Sequence, residues 1–253
     1  MDGTVALVTG AGRGIGRETA RILNERGARV MAVARTADEL KSLATESPGI
    51  EWIGINLATP ETCARVIETT HRRLGAIDIL VNNAGIGSAD DREIWDQELD
   101  AFRYTQALNV EAPFLLSKAA SIDMRERGAG RIVMVSSTSG QIGAPRNVAY
   151  TTSKHALIGL MRAIAQDIGT FGATCNAVLP GWVYTAMADR SAERESARRE
   201  LTVDEVWRGR DALYPRGKAL SATEIAEVIV FLCSDAASGV NGEAIAVAAG
   251  GTS

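Results

Sequence analysis

Short apolar, β-branched runs alternate with longer helical patterns along the first two-thirds of the chain, and this alternation restricts the fold more than any other property. The strand-like runs are Val5 to Val8, Arg29 to Ala34, Ile50 to Leu57, Ile77 to Asn82, Arg131 to Ser136 and Thr174 to Leu179, with Ala244 to Val247 a last one. Helical patterns near residues 15–26, 37–46, 60–74, 99–127 and 150–171 lie between them. Strands that are apolar almost throughout need cover on both faces, and intervening helices supply it as crossovers. The expectation is one α/β domain over residues 1–253. Its architecture would be a Rossmann-like doubly wound parallel sheet of about seven strands with helices on both faces.

Helix starts are legible. Thr59-Pro60 reads as an N-cap followed by proline at the first helical position. Ser221-Ala-Thr-Glu224 reads as a capping box opening a helix through Leu232. One stretch breaks the rhythm: residues 182–217 are long for a connection and mixed in charge, and are expected to form a substrate lid. Its charge run from Arg190 to Glu200 also fits a solvated surface helix, while Trp182, Tyr184, Trp207 and Tyr214 suit a cover over a ligand.

Composition excludes several classes. A formal charge of -4 lacks the basic footprint that a nucleic-acid partner requires. No apolar run reaches membrane-spanning length, and the first strand starts too near Met1 for a signal peptide, so a cytoplasmic protein is expected. Cys63, Cys175 and Cys233 are scattered and read as reduced structural thiols. With only His71 and His155, no histidine-rich metal site is expected.

The first chemical signal follows the first strand. Thr9-Gly10-Ala11-Gly12-Arg13-Gly14-Ile15-Gly16 leads straight into a helix. Glycines permit a tight turn there and let backbone N–H groups approach a pyrophosphate at a helix N-terminus. The spacing is Gly-x3-Gly-x-Gly, so the strand–turn–helix setting carries the argument rather than the glycines alone. The second strand ends Val33-Ala34-Arg35-Thr36, without the carboxylate that ordinarily takes an adenosine ribose diol. Arg35 and Arg13 instead offer two cations to a 2′-phosphate, which favours NADP(H) over NAD(H).

Tyr150 and Lys154 stand one helical turn apart on a common face, with Ser137 thirteen positions upstream. An ammonium close to a phenol favours the phenolate and lowers a pKa that starts near ~10. A serine hydroxyl holding a carbonyl or alcohol oxygen, while the tyrosine moves its proton, is acid/base equipment for interconverting a ketone and an alcohol. Side chains alternate along an extended strand, so only one of Ser136 and Ser137 faces the site, and the offset to Tyr150 selects Ser137. His155 points about 100° away from Lys154 on the helix and reads as structural. Asp78 and Asp123 lack the spacing of a catalytic carboxylate pair.

Taken together, the chain resembles the short-chain dehydrogenase/reductase family nearly end to end. The likeness rests on Thr9-Gly10-x3-Gly14-x-Gly16, Asn82-Asn83-Ala84-Gly85, Asn109, Ser137, Tyr150-x3-Lys154 and Pro180-Gly181-x-Val183-x-Thr185. The resemblance implies Tyr150 as general acid/base and Ser137 as the group orienting the substrate oxygen. It implies that Lys154 tunes the tyrosine and holds the nicotinamide ribose, and that the Asn109 carbonyl holds a water in a proton relay. Pro113, four residues on, has no N–H to take that carbonyl, although the proline also fits a simple kink.

For the cofactor, the resemblance implies adenine contacts from Asn56 and Leu57, which stand for the family's Asp-Val pair. It assigns Asn83, Ala84 and Gly85 to the adenosine ribose and sheet centre. Ile15, Val183 and Thr185, with Pro180 and Gly181, fall on the nicotinamide and phosphate side. Val247-Ala248-Ala249-Gly250-Gly251 departs from the family's Val-Asp-Gly-Gly, which is expected to bear on packing near a subunit contact and not on the chemistry. Relatives are commonly tetramers, which implies a homotetramer packed through the long helices.

The expected function is an NADP(H)-dependent oxidoreductase interconverting a small ketone, such as a 3-oxoacyl thioester, and a secondary alcohol without a metal. One alternative is an NAD-preferring secondary-alcohol dehydrogenase. Another, from a different class, is a non-catalytic dinucleotide sensor, which would keep the glycine loop beside an eroded Ser-Tyr-Lys set.

Overall fold

The computed structural model describes residues 1–251, so the last two residues of the expected domain, Thr252 and Ser253, lie outside the described residues. Its strands are β1 (Val5–Thr9), β2 (Arg29–Ala34), β3 (Glu51–Gly54), β4 (Ile79–Asn82), β5 (Gly130–Val135), β6 (Ala173–Pro180) and β7 (Ala244–Val247). They form one seven-stranded sheet in the order β3-β2-β1-β4-β5-β6-β7, and every neighbouring pair is parallel. The helices are α1 (Gly14–Glu25), α2 (Ala37–Glu46), α3 (Pro60–Arg73), α4 (Leu99–Gln106), α5 (Ala112–Arg127), α6 (Val148–Gly169), α7 (Ala186–Arg199), α8 (Val203–Asp211) and α9 (Ala222–Leu232).

Two core layers follow from the pleat of the strands. Ala6 and Val8 of β1 pack with Leu23 of α1, Leu40 of α2 and Ile229 of α9. Leu7, between them, points through the other face to Val66 of α3, Leu116 of α5 and Leu157 of α6. Both faces are therefore apolar and covered, as the doubly wound reading requires. Thr59 caps α3 by accepting the Thr62 N–H at 3.4 Å, with Pro60 behind it. Ser221 and Glu224 form the expected capping box on α9. No helix among the described residues is long and apolar enough to cross a membrane.

Two expectations are corrected, the reach of the third strand and the continuity of the helix over 99–127. The third strand ends at Gly54 rather than continuing to Leu57. Its neighbour β2 stops at Ala34, whose carbonyl takes a last bond from the Ile55 N–H at 2.8 Å, so no partner backbone remains beyond it. The single helix expected over 99–127 is interrupted by a π-turn at Ala107–Glu111. Pro113 offers no N–H to the Asn109 carbonyl, and the wider turn takes up the gap, with the Ala112 N–H donating to the Ala107 carbonyl. Residues 182–217 hold two separate helices, α7 capped by Thr185 and α8 opened by a Thr202–Glu205 capping box.

Candidate active site

Strand order reverses between β1 and β4, which opens a crevice at the carboxyl ends of the strands. A cavity of about 660 Å³ lies there, lined by Gly10, Gly12, Arg13, Gly14 and Ile15 on one side and Asn83, Ala84 and Gly85 on the other. Gly10 and Gly14 have φ of +67° and +58°, the left-handed region that glycine enters freely. A Cβ at Gly10 would lie 2.9 Å from the Ala84 Cα, so a side chain would close the crevice at its narrowest point. Helix α1 starts from Arg13 with no side-chain cap and no acidic residue in its first turn, leaving its N–H groups for an anion. This cradle fits the pyrophosphate of a dinucleotide.

Asn83 lines the cavity, but its amide also braces the loop. Its Nδ2 donates to the Thr9 carbonyl at 2.9 Å, while Thr9 Oγ1 accepts the N–H groups of Asn83 and Ala84 at 3.0 and 2.9 Å. Gly16 sits beneath the loop rather than in the cavity wall. A Cβ there would be 2.4 Å from the Gly10 carbonyl oxygen, so a glycine lets the loop pack onto the start of the helix.

Beyond the ends of β2 and β3 the cavity is lined by Arg13, Arg35, Asn56, Leu57 and Glu39. Arg13 is not free as expected: its Nη1 pairs with Glu39 Oε1 at 3.2 Å. Arg35 is exposed and, among the described residues, forms no ion pair. Asn56 Nδ2 donates to the Tyr104 hydroxyl at 3.4 Å, which leaves its carbonyl oxygen as an acceptor. Glu39 was not legible as a site residue. In sequence it is only an acid in the first turn of α2, where the helix dipole alone accounts for it.

A second cavity, of about 530 Å³, brings together Ser137, Tyr150 and Lys154 with Pro180, Gly181 and Val183. It shares Ile15, Asn83, Gly85 and Thr185 with the first, so the two spaces are contiguous. Ser137 stands at the end of β5 and its Oγ accepts the Ser139 N–H at 3.1 Å, which leaves its O–H to donate into the cavity. Ser136 is spent elsewhere: its Oγ donates to the Lys154 carbonyl at 2.9 Å. His155 lies exposed with Nδ1 3.0 Å from the Thr151 carbonyl. Asp78 and Asp123 accept the backbone N–H groups of Val5 and Ile77, both at 2.8 Å, and serve as strand anchors.

The electrostatics correct one expectation. Burial raises the Tyr150 phenol above its ordinary value, and the Ser137 hydroxyl acts in the opposite direction. Lys154 does not reverse the rise in the protein by itself. Its Nζ lies 5.4 Å from the centre of the Tyr150 ring and donates to the Val135 carbonyl at 2.9 Å. Burial in turn pushes the lysine down to about 8. A cation above the ring face stabilises phenolate less than one at the oxygen, so desolvation wins.

Asn109 is buried behind the cavity wall, in the π-turn. Its side chain forms a brace that spacing did not reveal: Oδ1 accepts the Ile86 N–H at 2.9 Å, while Nδ2 donates to the Ile86 carbonyl at 2.9 Å and to Ser153 Oγ at 3.0 Å. Ser153 Oγ in turn donates to the Tyr150 carbonyl at 2.7 Å. This chain ties α6 to the loop after β4. A small polar residue on the buried face of α6 was the available signal.

Helix α7 closes one side of both cavities. Thr185, its N-cap, and Arg194 line both; Arg190 lines the first, and Ser191 and Arg198 the second. Behind α7, Arg210 stacks 3.6 Å over Trp182 and donates to the Ala188 carbonyl at 3.0 Å. Tyr184 and Trp207 pack with ring centres 4.9 Å apart. Ala248 and Gly251 also line the second cavity, so the departure at the C-terminal end reaches the space that holds Ser137, Tyr150 and Lys154.

Comparison with known proteins agrees with this geometry. The family model described as Enoyl-(Acyl carrier protein) reductase matches residues 10–252. The chain is 34% identical over 252 residues to the 3-oxoacyl-[acyl-carrier-protein] reductase FabG of Salmonella typhimurium, covering 99% of this chain and 98% of that one. Among solved structures, an actinorhodin polyketide ketoreductase variant with NADPH superposes with a TM-score of 0.92 at 32% identity, over 98% of this chain and 96% of that one. An NAD+-bound xylitol dehydrogenase also gives 0.92, at 29% identity, over 98% and 99%. The chain belongs to the short-chain dehydrogenase/reductase family, oxidoreductases that use a nicotinamide dinucleotide to interconvert carbonyls and alcohols.

Proposed function

We propose that the protein is an NADP(H)-dependent carbonyl reductase, reversibly a secondary-alcohol dehydrogenase, acting on a small ketone such as a 3-oxoacyl thioester. The observation that carries this reading is the convergence of Ser137, Tyr150 and Lys154 on a cavity continuous with the glycine cradle. When bound, the dinucleotide supplies the hydride. The glycine loop, Asn56, Leu57, Ala84, Gly85, Val183 and Thr185 would hold it, with Lys154 at its nicotinamide ribose. Ser137 donates its O–H to the substrate oxygen, and Tyr150 moves the proton. A phenol protonated near neutral pH holds the proton that the new alcohol needs in the reductive direction. Residues 182–217 act as the lid that shields the reaction from water. In the relay that the family resemblance implies, the Asn109 carbonyl, to which Pro113 offers no N–H, accepts from a bridging water.

Arg35, exposed at the adenosine end, supports the preference for NADP(H), with Arg13 as its partner once released from Glu39. Glu39 favours a second reading, an NAD-preferring enzyme, because its carboxylate is placed to accept a ribose diol. Titration with NADPH and NADH tests the choice. Arg35→Ala should weaken NADPH about tenfold or more and NADH little, since a hydrogen bond to a charged group contributes roughly 1.5–3 kcal/mol. Equal losses would remove the basis for NADP(H). A dinucleotide sensor is disfavoured because the Ser-Tyr-Lys set is complete. The same reading places the protein in the cytoplasm as a homotetramer. Exposed Phe114 and Ile122, two turns apart on α5, support a subunit contact along that helix.

A further inference from the structure

The rim of the substrate cavity carries Arg146, Arg194 and Arg198 beside the carboxylates Asp91 and Glu195. Most of these charges are committed. Glu195 is held from behind by Arg210 at 3.0 Å and Arg199 at 2.7 Å. Arg146 donates through Nε to Glu93 at 2.9 Å. Arg194 and Arg198 are left to share Asp91, at 3.5 and 3.8 Å, both too long for a good hydrogen bond. The two arginines lie one turn apart on α7 and present the same face. Each guanidinium is a planar fork built for two parallel bonds to one carboxylate or phosphate, and a single shared carboxylate at these distances satisfies neither. Arg194 also lines the dinucleotide cavity, so this cationic pair stands where substrate and cofactor spaces meet.

We propose that Arg194 and Arg198 form an anion subsite, and that the carbonyl substrate carries a carboxylate or phosphate that displaces Asp91 from them. This rests on the carbonyl-reductase reading for the identity of the reacting group, while the anion site itself does not. In the free protein Asp91 acts as a stand-in anion, joining the loop after β4 to α7. The substrate takes its place and is oriented with its ketone toward Ser137 and Tyr150.

Matched probes test the subsite: 5-oxohexanoate against its methyl ester, and acetoacetyl-4′-phosphopantetheine against acetoacetyl-pantetheine. The wild type should favour the anionic member of a pair by about tenfold in kcat/KM, as expected for one charge-assisted bidentate contact. The pair with the larger ratio distinguishes a small oxo acid from a phosphate-bearing thioester. Arg198→Gln should lower that ratio through KM, and Arg198→Lys should restore part of it. Asp91→Asn should raise the ratio, because it removes the competing carboxylate. A wild-type ratio near one, or Asp91→Asn lowering the ratio as Arg198→Gln does, would overturn the proposal and leave only an ionic tie between loop and helix. Tryptophan fluorescence during titration with unreactive glutarate provides a readout independent of turnover. A saturable change that is lost in Arg198→Gln supports the subsite, and its absence in the wild type refutes it. Glutarate binding without reduction of any ketone would preserve the subsite and sink the carbonyl-reductase reading.

Discussion

Lys154 is a buried ammonium with one protein acceptor, the Val135 carbonyl, and its properties follow from that. Burial brings its pKa from the ordinary 10.5 to about 8. Below about 8 the folded protein carries the full cost of the buried charge, and above 10.5 both folded and unfolded forms are neutral. Between those values the unfolded chain binds more protons, so this residue makes stability rise with pH across the window. Urea midpoints of wild type and Lys154→Met over that range should diverge, with only the wild type gaining the increment. Parallel curves would show that the lysine is not held as described. Spacing made Ser137, Tyr150 and Lys154 legible as a set. It did not show that the ammonium lies over the ring face, because that depends on where β5 places the Val135 carbonyl. Glu39 was hidden for a related reason, since its contact with Arg13 crosses from α2 to the glycine loop.

Among the elements, α7 links the chemistry of the two cavities to the stability of a single helix. Thr185 accepts the Ala188 N–H at 3.3 Å as its N-cap and lines both spaces. Thr185→Ala should lower stability by about 0.5–2 kcal/mol, the usual effect of losing a cap, and raise KM for the dinucleotide. Thr185→Ser should recover both. Denaturation midpoints and steady-state kinetics check this, and an unchanged midpoint in the alanine variant would contradict the capping account. Helix α7 was visible in sequence only as a charge run, because exposed ionic residues fit a solvated helix and a lid equally well. The π-turn before α5 was half legible: Pro113 announced a break in the ladder but not the manner of its repair.

At the scale of the whole molecule, the reversal of strand order between β1 and β4 places the glycine cradle and the Ser-Tyr-Lys set side by side. Alternating strands and helices made a parallel sheet readable, since each apolar run demands cover on two faces. Strand order was not readable from the residues alone, because crossover lengths do not say which neighbour a strand joins. The cavity at the reversal came instead from the motifs that border it. The proposed mechanism separates the two halves of this site, with dinucleotide held by backbone and loop residues and the proton moved by one phenol. Turnover of Tyr150→Phe, measured beside its NADPH affinity, tests that separation most directly. The expected result is a loss of roughly 10²–10⁴-fold in kcat with NADPH affinity close to wild type. A variant that keeps half the wild-type rate would contradict it, as would one whose NADPH binding falls in step with its turnover.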